Sequence, residues 1–226
     1  MCKICLLLFF HFMSMNFITA EILKCNFTFG EFNFTELGYK CRAKNAEIFN
    51  DPFVTIEKVE GVHWEGKSND DVKIFYSRFS NNLNIFPSGI SKFFKNLDTI
   101  DILGSNITKI SSDDLKNFPK LKSLLISGSE IEEIHEDLFI YNLEIEEIIL
   151  WHNKIKFIDP KSFSHLKKLK LLYLSENECK FYKDAKSRQQ VESLVKRIEK
   201  GECQKEKPIT TTENYKKLSK NIFNRE

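Results

Sequence analysis

The side chains with the widest chemical range in this chain are four histidines, His63, His135, His152 and His165, and four cysteines, Cys25, Cys41, Cys179 and Cys203; His11, Cys2 and Cys5 lie in a distinct N-terminal segment. Hydrolytic chemistry needs such groups at short, fixed spacing. HExxH places two imidazoles on one helix face, and GxSxG exposes a serine on a sharp turn. Neither pattern occurs here, and no histidine belongs to a close metal-ligand cluster. His152 beside Trp151, with Ser127 earlier in the chain, supplies a base and a hydroxyl, but a periodic sequence produces such pairs routinely. The "HEDLF" stretch at His135 is better explained by solvation and turn chemistry. No catalysis and no cofactor are expected. Because imidazole titrates between about pH 5 and 8, His152 is better placed to tune a binding surface.

The cysteines divide by position. "MCKICLLLFFHFMSMNFITA" has one early cation at Lys3, a short apolar core from Leu6 to Phe12 and a small residue at Ala20. That is the layout of a secretory signal peptide cleaved near Glu21. The core is far shorter than the roughly 20 apolar residues a membrane span needs, and no later segment reaches that length. Residues 1–20 are therefore expected to be removed from a secreted chain without a membrane span. The even set Cys25, Cys41, Cys179 and Cys203 remains. In an oxidising compartment the simplest pairing is local, Cys25 with Cys41 and Cys179 with Cys203. Zinc is the rival use, but no pair shows the close CxxC spacing that chelation favours, so no metal is expected.

A chain of 226 residues with formal net charge +2 and 42% hydrophobic content suits one globular domain with short appendages. It carries no charge excess that points to nucleic acid. Its centre repeats. "LDTIDILGSNITKI" begins at Leu97, "LKSLLISGSEIEEI" at Leu121, "IEEIILWHNKIKFI" at Ile145 and "LKLLYLSENEC" at Leu169, each 24 residues after the last. A fixed period carrying LxxLxLxxNxL is the mark of a leucine-rich repeat. Positions four and six of each unit, such as Leu124 and Ile126, point inward from a short strand, and positions eleven and fourteen continue that core. No unit can bury its apolar face alone, so stability comes from stacking. The ninth position is Ser105, Ser129, Asn153 and Asn177. An amide there can bond to backbone left unpaired by the turning chain, and serine offers fewer donors, so the ladder is expected to be weaker in the first half. Leu115 with Phe118, Phe139, and Phe163 with Leu166 supply an outer layer; Asn142 breaks that layer and is expected to loosen its coil.

Upstream, a strict 24-residue step would bury Arg78, so a slightly longer unit with Val72 and Phe75 inward is expected. "FVTIEKVEGVHW" alternates like a strand and is read as a first, degenerate coil. Both ends need lids. Residues 21–46, with cysteines bracketing "TELGY", form the expected disulfide-closed N-terminal hairpin cap, and 47–178 hold the repeats. In 179–203, Val191, Leu194, Val195 and Ile198 share one helical face and Gly201 stops the helix. Residues 204–226 are polar and are expected to form a flexible tail.

The in-register units, the export signal and a cysteine pair at each end resemble the extracellular leucine-rich-repeat family, including secreted insect members and Toll-type ectodomains. The resemblance covers about Glu47 to Cys203 and implies an α/β solenoid: a short curved horseshoe with a parallel concave sheet, a disulfide-closed N-terminal cap and a helical C-terminal cap. Family members often carry four cysteines in the C-terminal cap, where this chain has two. In such a coil, positions three, five and seven face outward on the concave sheet. That places Leu125 in an exposed apolar stripe with Ile149, Trp151, Leu171 and Tyr173, next to Leu103, with Asp101, Glu147 and His152 as its polar rim. Contiguous exposed apolar surface marks an interaction site, and Trp and Tyr are favoured anchors.

The expected partner is therefore a protein ligand. A second copy of the chain, giving a homodimer, and the tail folding back are the alternative covers. A matrix or scaffold role is the remaining alternative, with lysines docking on an anionic polymer. "NFT" at Asn26, "NFT" at Asn33 and "NIT" at Asn106 are glycosylation acceptors that suit an extracellular glycoprotein.

Overall fold

The computed structural model describes residues 20–30, 38–44, 55–80, 83–179 and 184–204. The expected export signal apart from Ala20, the Asn33 sequon, the cap loop and the tail beyond Gln204 lie outside the described residues. Ten strands form: β1 (Ala20–Gly30), β2 (Gly38–Ala43), β3 (Thr55–Glu60), β4 (Ile74–Ser80), β5 (Thr99–Ser105), β6 (Ser123–Ser127), β7 (Glu133–Ile134), β8 (Glu147–Ile149), β9 (Phe157–Ile158) and β10 (Leu171–Tyr173). With them come two helices, α1 (Ser112–Leu115) and α2 (Arg188–Glu199). Eight strands make one sheet in the order β10-β8-β6-β5-β4-β2-β1-β3, and β7 pairs with β9 on the return side.

The repeat period is the register of this sheet. Ile100, Leu124, Ile148 and Leu172 are direct partners across β5, β6, β8 and β10, and all four are completely buried. Each sits where its neighbours above and below exclude water, which no single coil could arrange. Phe75 pairs with Ile100, so the first step is 25 residues and Arg78 faces outward opposite Leu103. Ile107, Ile110, Ile131, Ile134, Ile155 and Ile158 continue the core, and Phe139 packs on Phe163 with ring centroids 5.9 Å apart.

Asparagine and serine divide the solenoid as expected. Asn153 donates to the carbonyls of Ile126, Leu150 and Trp151 and accepts from the Ile131 N–H. Asn177 repeats this one coil later, donating to Leu150, Leu174 and Ser175 and accepting from Ile155. Ser105 and Ser129 instead bond to each other at 2.6 Å. Asn142 corrects an expectation. It does not simply interrupt the apolar layer: it is fully buried and donates to the carbonyls of Leu115 and Phe118, tying its coil to the previous one. Outside, the acidic and basic stretches also pair at the repeat spacing. Lys154, Lys156, Lys168 and Lys170 meet Glu130, Glu132, Glu144 and Glu146, each a partner 24 residues earlier. Exposed pairs of this kind contribute little individually.

The caps close both ends. β1 and β2 form an antiparallel hairpin crossed by the Cys25–Cys41 disulfide, and β2 hands over to β4 in parallel. β3 is not the first coil. It lies at the far edge of the sheet, parallel to the first half of β1, because the chain passes outside the hairpin before returning to β4. Its alternation identified a strand but carried no information about its partner. At the other end, α2 buries Val191, Leu194, Val195 and Ile198, and Ser187 caps it by accepting from the Gln190 N–H. Arg188 donates to the carbonyls of Leu166 and Leu169, Ala185 pairs with Leu172, and the Cys179–Cys203 disulfide ties the helix end to the last coil.

Asn153→Ala should cost about 2–3 kcal/mol, because it leaves several buried backbone groups unpaired at once. Ser129→Ala should cost under about 1 kcal/mol. Denaturant unfolding of the two variants compares them, and equal losses would show that the amide ladder is not the difference between the two halves.

Candidate functional site

The sheet lays its outward side chains in columns. Tyr76, Asp101, Leu125, Ile149 and Tyr173 are partners in one column; Arg78, Leu103 and Ser127 form the next, with Trp151 following β8 at the equivalent place. In each of these four coils the chain passes through a left-handed residue at or just past the end of its strand: Gly104 (φ +69°), Gly128 (φ +61°), His152 (φ +54°) and Glu176 (φ +57°). Glycine takes that conformation without steric cost, whereas an L side chain pays for it. His152 is thus the turn residue of its coil, exposed, with its ring 5.3 Å from that of Trp151.

Leu125 is buried, not exposed. It packs with Ile74, Tyr76 and Ile149 on the outward face of the sheet, forming a small second core there. Asp101 lies between Tyr76 and Leu125 in the column. Asp101 and Glu147 are therefore not a solvated rim: they are 4% and 8% exposed. Glu147 accepts a hydrogen bond from Ser123 at 3.0 Å, and burial still raises its pKa. Oδ2 of Asp101 is buried without a hydrogen bond, 3.7 Å from the Arg78 guanidinium. Burial pushes the Asp101 carboxyl up to about 6, against the opposing pull of Arg78 and Lys40. Desolvation wins because the ion pair is long and one-sided.

Around Tyr76 three cations converge. Arg78 stands 4.8 Å, Lys40 5.4 Å and Arg42 5.7 Å from the ring centroid. Beside them a hollow of about 350 Å³ opens, lined by Arg78, Asp101, Leu103, Leu125, Ser127, Ile149, Trp151, Tyr173 and Asp184. Of the residues expected to form the site, Asp101, Leu103, Leu125, Ile149, Trp151 and Tyr173 meet there, and Glu147, His152 and Leu171 do not line it. Arg78, Lys40, Arg42, Tyr76 and Asp184 were missed. Tyr76 and Arg78 sit on β4, one longer step before the regular repeat, and Lys40 and Arg42 on β2 of the cap hairpin. Asp184 comes from the C-terminal cap, where it accepts from the N–H groups of Leu174 and Ser175 and from the Ser175 hydroxyl. It satisfies donors that a further coil would otherwise take.

The other histidines have local tasks. His63 stacks on Phe27 at 3.8 Å and bonds Tyr39 and Asn69 through its two nitrogens. His135 lies 3.5 Å from Glu133. Among the described residues no group of three or more His, Cys, Asp or Glu could hold a metal ion, and no helix is long and apolar enough to cross a membrane.

Residues 143–189 match the family model described as leucine rich repeat. Those residues cover the last two coils of the parallel solenoid. That segment holds the two coils with the complete asparagine ladder. Among solved structures, the chain is similar to one in the crystal structure of the TLR13–ssRNA13 complex, with 21% identity over 57% of this chain and 19% of that one, and a TM-score of 0.46. It is also similar to a chain of the Toll–Spatzle complex, described as a molecular hub in Drosophila development and innate immunity, at 15% identity over 55% and 16%, with a TM-score of 0.40. This chain spans less than a fifth of the length of either. No curated protein matches it.

Because the folded pKa of Asp101 lies above its unfolded value of about 3.9, its contribution to stability is fully present below pH 4 and is lost as pH rises through 6. The stability of Asp101→Asn relative to wild type should therefore increase by roughly 2–3 kcal/mol between pH 4 and pH 7.5. Denaturant unfolding at the two pH values tests this, and a difference that stays constant would mean the carboxyl is not desolvated.

Proposed function

We propose that this chain is a secreted recognition module that binds a protein partner through the concave face and catalyses nothing. The observation that carries this reading is the hollow lined by Trp151, a tryptophan that is 42% exposed although it directly follows a strand paired on both sides. Exposed tryptophan on a rigid platform loses little conformational freedom on binding and buries a large area, which is how interface anchors work. Tyr173 and Ile149 continue the surface, and the buried Leu125 with Asp101 fixes its floor.

Export is supported by the two disulfides, which persist in oxidising compartments, and by the N-terminal signal pattern. Asn26 and Asn106, both exposed, are the proposed glycan positions within the described residues. Asn26 lies on β1 opposite Arg42, so a glycan there would border the cationic end of the face.

Trp151→Ala combined with Tyr173→Ala should abolish partner binding while the unfolding transition stays within about 1 kcal/mol of wild type, since neither side chain is in the core. Unchanged affinity would move the site off this face. Light scattering on wild type and Trp151→Glu separates self-association from recognition. A wild-type monomer is expected, and a dimer that the substitution dissolves would make a second copy the natural occupant.

A further inference from the structure

The concave face is electrically lopsided. At its cap-proximal end Lys40, Arg42 and Arg78 crowd around one tyrosine ring. Among the described residues, the carboxylate within 4 Å of any of these three is Asp101, and it reaches Arg78 alone. That carboxylate is 4% exposed and its Oδ2 makes no hydrogen bond; one negative charge acting on Arg78 and Lys40 leaves the three cations with a net positive excess. The second acid of the hollow, Asp184, comes from the C-terminal cap, where the N–H groups of Leu174 and Ser175 and the Ser175 hydroxyl hold it. Three cations against one buried carboxylate leave the cap-proximal end of the face net positive, next to an apolar pocket.

We propose that the concave face recognises an extended protein segment in which an acidic side chain stands three or four residues from a large apolar one. The acid seats among Lys40, Arg42 and Arg78 above Tyr76, and the apolar side chain enters the hollow against Ile149 and Trp151. This rests on the concave-face reading and adds the chemistry of the partner. The spacing follows from the sheet. From β4 to the gap between β6 and β8 is two to three strand spacings, about 12 Å at roughly 4.8 Å each, which an extended chain covers in three to four residues. Like charges held together without counter-ions repel one another in the free protein, so a partner carboxylate both pairs with them and relieves that repulsion. Tyr76 holds the cations over its ring face, which keeps them aimed outward.

A displayed library of random decapeptides, selected on the full secreted chain and sequenced, tests the pairing. The expected result is an enrichment of at least about tenfold for Asp or Glu three or four positions from Trp, Phe, Tyr or Leu. Resynthesised winners should lose about tenfold or more in affinity on Lys40→Gln with Arg42→Gln, on Trp151→Ala, and at raised salt for the first contact only. Winners that depend on Trp151 but carry no acid, or a base in its place, overturn the inference and leave the concave-face reading standing. Winners indifferent to both Trp151 and the cations overturn both. No enriched peptide, with heparin retained through Lys40 and Arg42, overturns it in favour of an anionic polysaccharide.

Discussion

Every coil turns sharply after its strand, and the turn leaves backbone N–H and C=O groups facing an apolar interior with no partner in their own coil. A buried backbone group without a partner costs about as much as a lost hydrogen bond. Asn153 and Asn177 solve this by reaching into the preceding coil, each amide nitrogen serving carbonyls of two successive units while its oxygen accepts from an N–H of the preceding one. That requirement holds the period at 24 residues, because a shift of one residue would remove the amide from its carbonyls and turn the apolar strand positions outward. Where serine replaces asparagine, the side chains reach only each other, and Asn142 on the return side adds a different link between coils.

A stack of this kind must end, and its ends shape the binding face. The last strand would expose N–H groups that expect another coil. Asp184 and Ala185 take them, and Arg188 takes the open carbonyls. The same aspartate then forms one wall of the hollow. At the other end the cap hairpin contributes Lys40 and Arg42 from β2, which lie beside β4 only because β2 extends the parallel sheet. The caps are needed for stability, yet they also supply much of the charge of the face.

Asp101 shows what that face costs. A carboxyl with an unbonded oxygen, placed between Tyr76 and Leu125 in the column, is an expensive group to bury. An apolar residue there would fill the gap more favourably, but the ion pair with Arg78 helps to hold the guanidinium over Tyr76. Charge arrangement on the face is maintained at the expense of packing beneath it.

The repeat was legible from the sequence because its cause is local and periodic: apolar residues at fixed offsets, with Asn153 and Asn177 nine residues into their units. The two caps were legible from the cysteine spacing and from the amphipathic pattern that ends at Gly201. From the same columns, Trp151, Ile149 and Tyr173 could be placed on one face. What the sequence could not carry was anything set by partners distant along the chain. β3 looks like any alternating strand, and only the tertiary structure puts it beyond the hairpin. Leu125 and Asp101 occupy outward positions, and whether such a position is wet depends on the neighbouring strands: Tyr76, 49 positions before Leu125, packs against the cluster of Ile74 and Leu125, and Asp101 lies between them in the column. Asp184 has no pattern of its own, and it joins the site because the final strand had unpaired donors close to it. Periodicity determined which residues face which way, and contact between elements decided which of them meet water.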